Sequence, residues 1–453
     1  MFEALLFVAL AITTVGILIA YDGSRDVFHP LFFIGPMLAF LYGWMPLQLL
    51  RSGSLFQYFD LDQLESVQGL NVLGILAFVL ACLAAGCRVR QSRSSAPKLS
   101  SAGCRRLRIG ALMVGGVGLS CWLISIINVG GFVNAFSKSY AGGWDDSGYV
   151  RDGNLLLLVG VLLALGAMGS EGLRFPNLAI AALFGLPWLT QALLTARRGP
   201  TFAISILVLM GSYLIRNKRP PVLSMIAVGA FLGWLSLFLV TNRGNIYLGS
   251  QAALTTDMKN IRSIVEKSDT GNEYIYGTGS VVSTERRGHY FWMRRYLAQL
   301  LVRPIPSSIW PTKYEDFGVP ELLSNAGTGE GFADALGWVG AVGSAPGIIA
   351  DLWIEVWWLA VPFMAVLGWA YGYIWRKAVT GGPAWKCQYV IVAALSMYLV
   401  MQTMEAVIFR TLLLSAPSWL IWKWSLKAKD QTAEGTLYVV EPDLLRKGAL
   451  YRA

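Results

Sequence analysis

Charge is what this sequence has least of. Asp, Glu, Lys and Arg make up 14% of its 453 residues, where a soluble domain carries about 25%. Such a chain is not an ordinary water-soluble protein. Histidine is scarcer still: His29 and His289 are the whole complement, too few for a histidine-built metal centre. The five cysteines (Cys82, Cys87, Cys104, Cys121 and Cys387) lie in apolar runs or beside basic segments, with no CxxC or Cys/His spacing. That pattern argues against disulfides and against thiolate metal sites. The segments between apolar runs on the basic side contain no Asp-x-Asp and no Walker sequence, so nucleotide-dependent chemistry there has no support. No internal repeat is visible either.

What the chain has instead is apolar length, with 55% hydrophobic residues. A membrane span needs about 20 mostly apolar residues. Eleven segments qualify, near 2–20, 28–50, 69–87, 109–128, 154–169, 178–195, 201–215, 221–241, 348–374, 387–404 and 408–424. The fold class expected is all-α, a polytopic integral membrane protein of about eleven transmembrane helices. The first run opens Met1-Phe-Glu-Ala without a basic n-region or a small-residue cleavage site, so it reads as a retained helix.

Lysine and arginine placement sets the orientation. Arg88, Arg90, Arg93, Lys98, Arg105, Arg106 and Arg108 crowd one connection, Arg216, Lys218 and Arg219 another, and Arg376, Lys377 and Lys386 a third. Alternation through eleven spans puts all three on one side, which the positive-inside rule makes the cytoplasm. The net charge of +10 is therefore topological, and nucleic acid is not an expected partner. Four regions follow: 1–241 as an N-terminal bundle of about eight spans, 242–347 as a large extracytoplasmic loop with an amphipathic helix, 348–426 as C-terminal spans, and 427–453 as a cytoplasmic tail. A loop of roughly a hundred residues is far longer than an ordinary connection, and such loops usually carry function.

On this topology Thr195-Ala-Arg-Arg-Gly-Pro-Thr201 faces outward, where arginine is normally avoided. Pro200 suits the first turn of the helix that follows, and a helix N-terminus joined by Arg197 and Arg198 makes an anion site. The alternative is arginine snorkelling to headgroups. Arg243, in Thr241-Asn-Arg-Gly244, repeats the theme. Between Arg286 and Arg303 there are five arginines (Arg286, Arg287, Arg294, Arg295 and Arg303) and no acid. A helix over 290–302 would lie in the interface, and Arg287 and Arg294 would share a face if it extends back across Gly288. The proline-rich Arg303-Pro-Ile-Pro-Ser-Ser-Ile-Trp-Pro-Thr-Lys313 is stiff and suits sugar or phosphate contact, or is simply a turn. Gly327-Thr-Gly-Glu-Gly331 resembles a phosphate loop only superficially, lacking its Lys-Ser/Thr ending. Asp351 and Glu355, at i and i+4, share a face at the outer end of the ninth span. Acids at membrane depth are candidate bases or partners of the arginines in buried ion pairs. Glu330 and Asp334 are alternative bases, and Glu405 and Arg410 flank the last outer turn.

Taken together, Ala196-Arg-Arg-Gly-Pro, Asn242-Arg-Gly, Pro304-Ile-Pro-Ser-Ser-Ile-Trp-Pro-Thr-Lys-Tyr314 and Gly343-Ser-Ala-Pro-Gly-Ile-Ile-Ala-Asp-Leu-Trp353 resemble the Wzy-type O-antigen polymerases, over Thr195 to Gly372. The resemblance implies a GT-C-like glycosyltransferase of the bacterial inner membrane. It would join undecaprenyl-pyrophosphate-linked oligosaccharide repeat units on the periplasmic side, with no cofactor, alongside flippase and chain-length regulator proteins. It implies pyrophosphate binding by Arg198 and Arg243 with one or more of Arg287, Arg294 and Arg295, to which Arg197 is added on position. Asp351, Glu355 and Glu330 are the candidate catalytic acids, and His289, Trp310, Lys313 and Tyr314 the candidate sugar contacts by residue type. An O-antigen ligase is the nearest alternative, and a polysaccharide or lipid transporter a more distant one.

Overall fold

Hydropathy alone places most of the helices, because a backbone surrounded by hydrocarbon must satisfy its own hydrogen bonds. The computed structural model describes residues 1–86, 99–138, 148–254, 256, 272–319, 330–340 and 344–428. The basic segment 88–98, Cys87, and the tail beyond 428 lie outside the described residues. Among those described, nine helices are long and apolar enough to cross a membrane, so the chain is an all-α, multi-pass membrane protein.

In chain order the helices are α1 (Phe2–Ser24), α2 (Leu31–Arg51), α3 (Leu61–Gly86), α4 (Ser101–Asn128), α5 (Val150–Glu171), α6 (Phe175–Leu194), the shorter α7 (Arg198–Leu214) and α8 (Val222–Thr241). After the long loop come α9 (Glu273–Arg287), α10 (Arg294–Leu297) running into a π-turn (Ala298–Val302), α11 (Ile348–Val356), α12 (Ala360–Thr380), α13 (Pro383–Met401) and α14 (Met404–Leu426). The ends follow local chemistry. Arg25 in the left-handed region closes α1 by donating to Tyr21 O, and the Ser100 hydroxyl caps α4 by accepting from Gly103 N–H.

The described parts of the three basic connections gather at one end. Arg108 pairs with Glu171 at 2.8 Å, Gly169 abuts Ile215, Arg219 pairs with Asp26 at 2.6 Å, and Lys386 donates to Asn217. That end is called the basic end below. The opposite end holds the start of α7, the turn before α14, and α10.

Two findings depart from the sequence reading. The apolar run from 348 does not form one straight span. Gly74 packs on Ile349 and Gly368 on Phe78. The chain thus uses 19 residues (349 to 368) to advance 4 positions along α3 (74 to 78). At 1.5 Å per residue a continuous helix would cover about 28 Å where the contacts allow about 6 Å. The chain doubles back, with Trp357 at φ 53° in the turn. α11 is therefore a re-entrant helix starting at mid-depth, every residue of it buried. Such backbone is tolerated only inside protein. Here Ile349 N–H donates to the Tyr42 hydroxyl at 3.3 Å, and Phe291 and Trp292 N–H donate to the carbonyls of Ile354 and Glu355 at 3.1 and 2.7 Å. The following α12 packs closely along α3 through Gly368 and Gly372, a small-residue spacing of four that lets backbones touch.

The second departure is in the long loop. The expected helix over 290–302 is not continuous with 287, because Gly288, Trp292 and Met293 all have positive φ (61°, 50° and 68°). Helix resumes only at Arg294, so Arg287 and Arg294 share no helical face. Upstream, α9 carries a polar sequence yet buries every residue from Tyr274 to Thr284. Its hydroxyls make this possible: Ser280 donates to Tyr276 O at 2.9 Å and Thr284 to Ser280 O at 2.7 Å, leaving little polarity to solvate. Asn272 caps it, accepting from Tyr274 N–H at 2.9 Å. Part of the large loop is thus packed inside the protein against α11.

Candidate functional site

Two of the acids singled out from the sequence, Asp351 and Glu355, are engaged by one arginine. Arg295 donates from Nη2 to Asp351 Oδ1 at 2.7 Å and from Nε to Glu355 Oε1 at 2.5 Å. The Tyr296 hydroxyl and Met404 N–H take the other Asp351 oxygen at 2.6 and 2.9 Å. Asp351 and Glu355 are both fully buried. Burial opposes charge on Arg295, but Asp351 and then Glu355 more than reverse that and hold its guanidinium charged well above its ordinary range. Of the two readings open for these acids, the ion pair is what forms. They do not lie at the outer end of a span; they lie in the re-entrant helix.

The other expected anion ligands are spread out. Arg198 pairs with Glu273 at the start of α9. The Arg287 guanidinium lies over Gly331, and exposed Arg294 donates to Phe317 O at 3.4 Å. Arg243 is half-buried in the turn after α8, and Arg197 half-buried at the N-cap of α7. Pro200 does fall in the first turn of α7, its carbonyl accepting from the Trp188 indole at 3.1 Å. The side chain of Glu330 lies outside the described residues.

Among the expected sugar contacts, Lys313 has a different task. It is fully buried and donates to the carbonyls of Val302 (3.3 Å), Arg303 (3.2 Å) and Ile305. Three carbonyls match the three donors of an ammonium, so it fastens the proline-rich turn. The Trp310 indole donates to Asp316 Oδ2 at 2.5 Å, and the Thr312 hydroxyl to the same oxygen at 2.7 Å. These bonds hold the Asp316 carboxyl below its usual range. Tyr314 is exposed beneath the Lys313 ammonium, 4.6 Å from ring centre to Nζ. Exposed His289 stands edge-on to Phe291 at 5.7 Å.

The turn fastened by Lys313 carries Arg303, and Arg303 leads to a cluster of charged side chains. It pairs with Asp152, donates to Gln299 Oε1 at 2.8 Å, and lies 5.0 Å from the Phe409 ring centre. Gln299 in turn donates to Glu405. One turn further along α14, Arg410 stacks on Tyr398 at 4.3 Å. Asp152, Arg303 and Arg151 are the charged groups within its electrostatic reach, and its Nη1 is shielded from solvent with no hydrogen-bond partner among the described residues. Tyr398 is also within electrostatic reach of Arg197 and abuts Gly199. Arg151 and Arg303 thus lie within electrostatic reach of Arg410, and Arg410 and Arg197 within reach of Tyr398, at the end opposite the basic loops.

Four guanidinium groups against two carboxylates, Asp152 and Glu405, leave positive charge in excess and suit a polyanion, since arginine grips phosphate through parallel hydrogen bonds. Sequence reasoning placed Arg197 there and missed Arg151, Asp152, Tyr398 and the role of Arg303. The Glu405–Arg410 pair beside the last outer turn was a usable signal. Among the described residues no three His, Cys, Asp or Glu side chains converge as a metal centre requires. Comparison of the chain with family models, with curated proteins and with solved structures finds no match in any of the three.

Proposed function

We propose that this protein is a membrane glycosyltransferase that joins undecaprenyl-pyrophosphate-linked oligosaccharide repeat units into a polysaccharide. It would work on the side of the membrane opposite its basic loops, the periplasmic face of a bacterial inner membrane. One observation supports this above others: at that end Arg410 stacks on Tyr398 with Arg151 and Arg303 within its electrostatic reach, and Arg197 is within reach of the same Tyr398. A leaving pyrophosphate gains charge in the transition state, and fixed cations stabilise it most when partly shielded from water.

In the proposed step a hydroxyl of the incoming repeat attacks the anomeric carbon of the growing chain. A new carbon–oxygen bond forms as the bond to pyrophosphate breaks, and the electron pair leaves with the prenyl pyrophosphate. The hydroxyl proton passes to a carboxylate. Glu405 fits this role better than Asp351 or Glu355. Asp351 and Glu355 are fully buried and ion-paired with Arg295, whereas Glu405 is half-buried and joined through Gln299 to Arg303.

The test is to incubate the purified protein in nanodiscs with a lipid-linked repeat unit and separate the products. A ladder of lengths supports polymerisation, a single transfer to lipid A core would indicate a ligase, and no transfer to either acceptor would sink the reading.

A further inference from the structure

At the basic end, three neighbouring hydrogen-bond donors have no acceptor among the described residues. Arg219 spends Nε on Asp26 Oδ2 at 2.6 Å and Nη1 on Lys218 O at 3.0 Å, while its buried Nη2 has no partner. Trp375 is fully buried and its indole Nε1 has no partner. His29, also fully buried, accepts the Leu31 N–H at Nδ1 (3.3 Å). That bond leaves the proton of the neutral ring on Nε2, and Nε2 too has no partner.

The three are neighbours. The rings of His29 and Trp375 meet edge to face at 6.3 Å, and the Arg219 guanidinium lies 5.9 Å from the Trp375 ring centre. Gly86 borders the same place: a Cβ there would come within 3.1 Å of His29 Nε2 and 3.3 Å of Trp375 Cδ1. Asp26 accepts from Phe28 N–H at Oδ1 (2.9 Å) and from Arg219 Nε at Oδ2, but from none of these three donor atoms. Positive charge is in excess, with buried Lys386 within electrostatic reach of Arg219.

Buried donors are almost always satisfied. One water accepts two hydrogen bonds, whereas an oxyanion presents several oxygens and favours the charged donor. We infer that a phosphate-type oxyanion, from a phospholipid headgroup or free in solution, binds at the basic end against Arg219, Trp375 and His29. It would enter past Arg219, whose side chain is 20% exposed. This site is separate from the arginine cluster and does not depend on the glycosyl-transfer reading.

The test uses the full chain in two settings. Lipid-stripped protein in neutral detergent is titrated with inorganic phosphate, against chloride at equal ionic strength. In parallel, phosphatidylcholine nanodiscs with and without phosphatidylglycerol are compared, and thermal unfolding is followed throughout. A saturable rise in midpoint is expected in at least one setting, and the setting that responds identifies the source. Trp375→Phe keeps the ring and removes one donor, so it should weaken the response about tenfold. Gly86→Ala should abolish it by filling the space. No saturable rise in either setting, an equal effect of chloride, or an undiminished response in Trp375→Phe overturns the proposal. That last outcome covers phosphate binding at the arginine cluster alone. Should Gly86→Ala not fold, Trp375→Phe decides by itself.

Discussion

Arg295 holds Asp351 through a 2.7 Å ion pair in which both side chains are removed from water, the arginine 8% and the aspartate 0% exposed. The same guanidinium holds Glu355, so one cation ties α10 to the re-entrant helix at both acids. Removing one member of such a pair strands the others. Arg295→Gln is expected to cost about 3–5 kcal/mol, seen as loss of monodisperse protein on extraction. Replacing all three charges together (Arg295→Met, Asp351→Leu, Glu355→Leu) should recover much of the loss. A well-folded Arg295→Gln single variant would show that the network is not structural.

The arginine cluster should behave differently. Arg303→Gln and Arg410→Gln are each expected to lower the rate of glycan transfer on the order of 10²-fold, with size-exclusion profiles unchanged. Arg410 is the sharper case because its Nη1 has no partner to lose. Full polymer yield from Arg410→Gln would remove it from the proposed leaving-group site.

Glu405→Gln keeps the shape and the bond from Gln299 but cannot accept a proton. Its expected effect is a rate lower by 10²- to 10⁴-fold, roughly the range of general base catalysis, with substrate affinity little changed. Single-turnover assays at saturating lipid-linked substrate separate the two quantities.

The turn between α11 and α12 can be probed at Trp357, whose φ of 53° and ψ of −136° fall where only glycine is at ease. Non-glycine residues there cost about 1–3 kcal/mol. Trp357→Gly should keep or raise the thermal midpoint despite loss of a half-exposed ring, and Trp357→Val should lower it. If Val is tolerated as well as Gly, the backbone at this turn is not as described.

His29, in the turn between α1 and α2, has its imidazole pushed down to about 3 by burial. The folded state therefore keeps the ring neutral, while the unfolded chain takes up a proton below about 6.5. Stability should rise with pH between about 3 and 6.5 by up to ~1.4 kcal/mol per unit and level off above. In phosphate-free detergent, comparing midpoints at pH 5 and 7 for wild type and His29→Gln tests this. An equal drop in both would assign the pH dependence to other groups.

The positions of the apolar helices were written into the chain, because twenty apolar residues in a row have few other ways to satisfy a backbone. So was the gathering of basic connections at one end, which the pairs Arg219–Asp26 and Lys386–Asn217 bear out. Hydropathy could not find α9, whose Ser280 and Thr284 look like loop but spend their hydroxyls on backbone carbonyls one turn back. Nor could it see that the run from Ile348 turns back at Trp357, since the residues on both sides are equally apolar. Arginine type was legible; arginine company was not. Arg198 meets Glu273, Arg295 meets acids some 56 and 60 residues away, and Arg303 meets Asp152 across 151 positions. Solvation of a side chain is a local property and can be read from one segment. Which charges neutralise each other, and which stay available to a ligand, depends on distances that only the packed helices set.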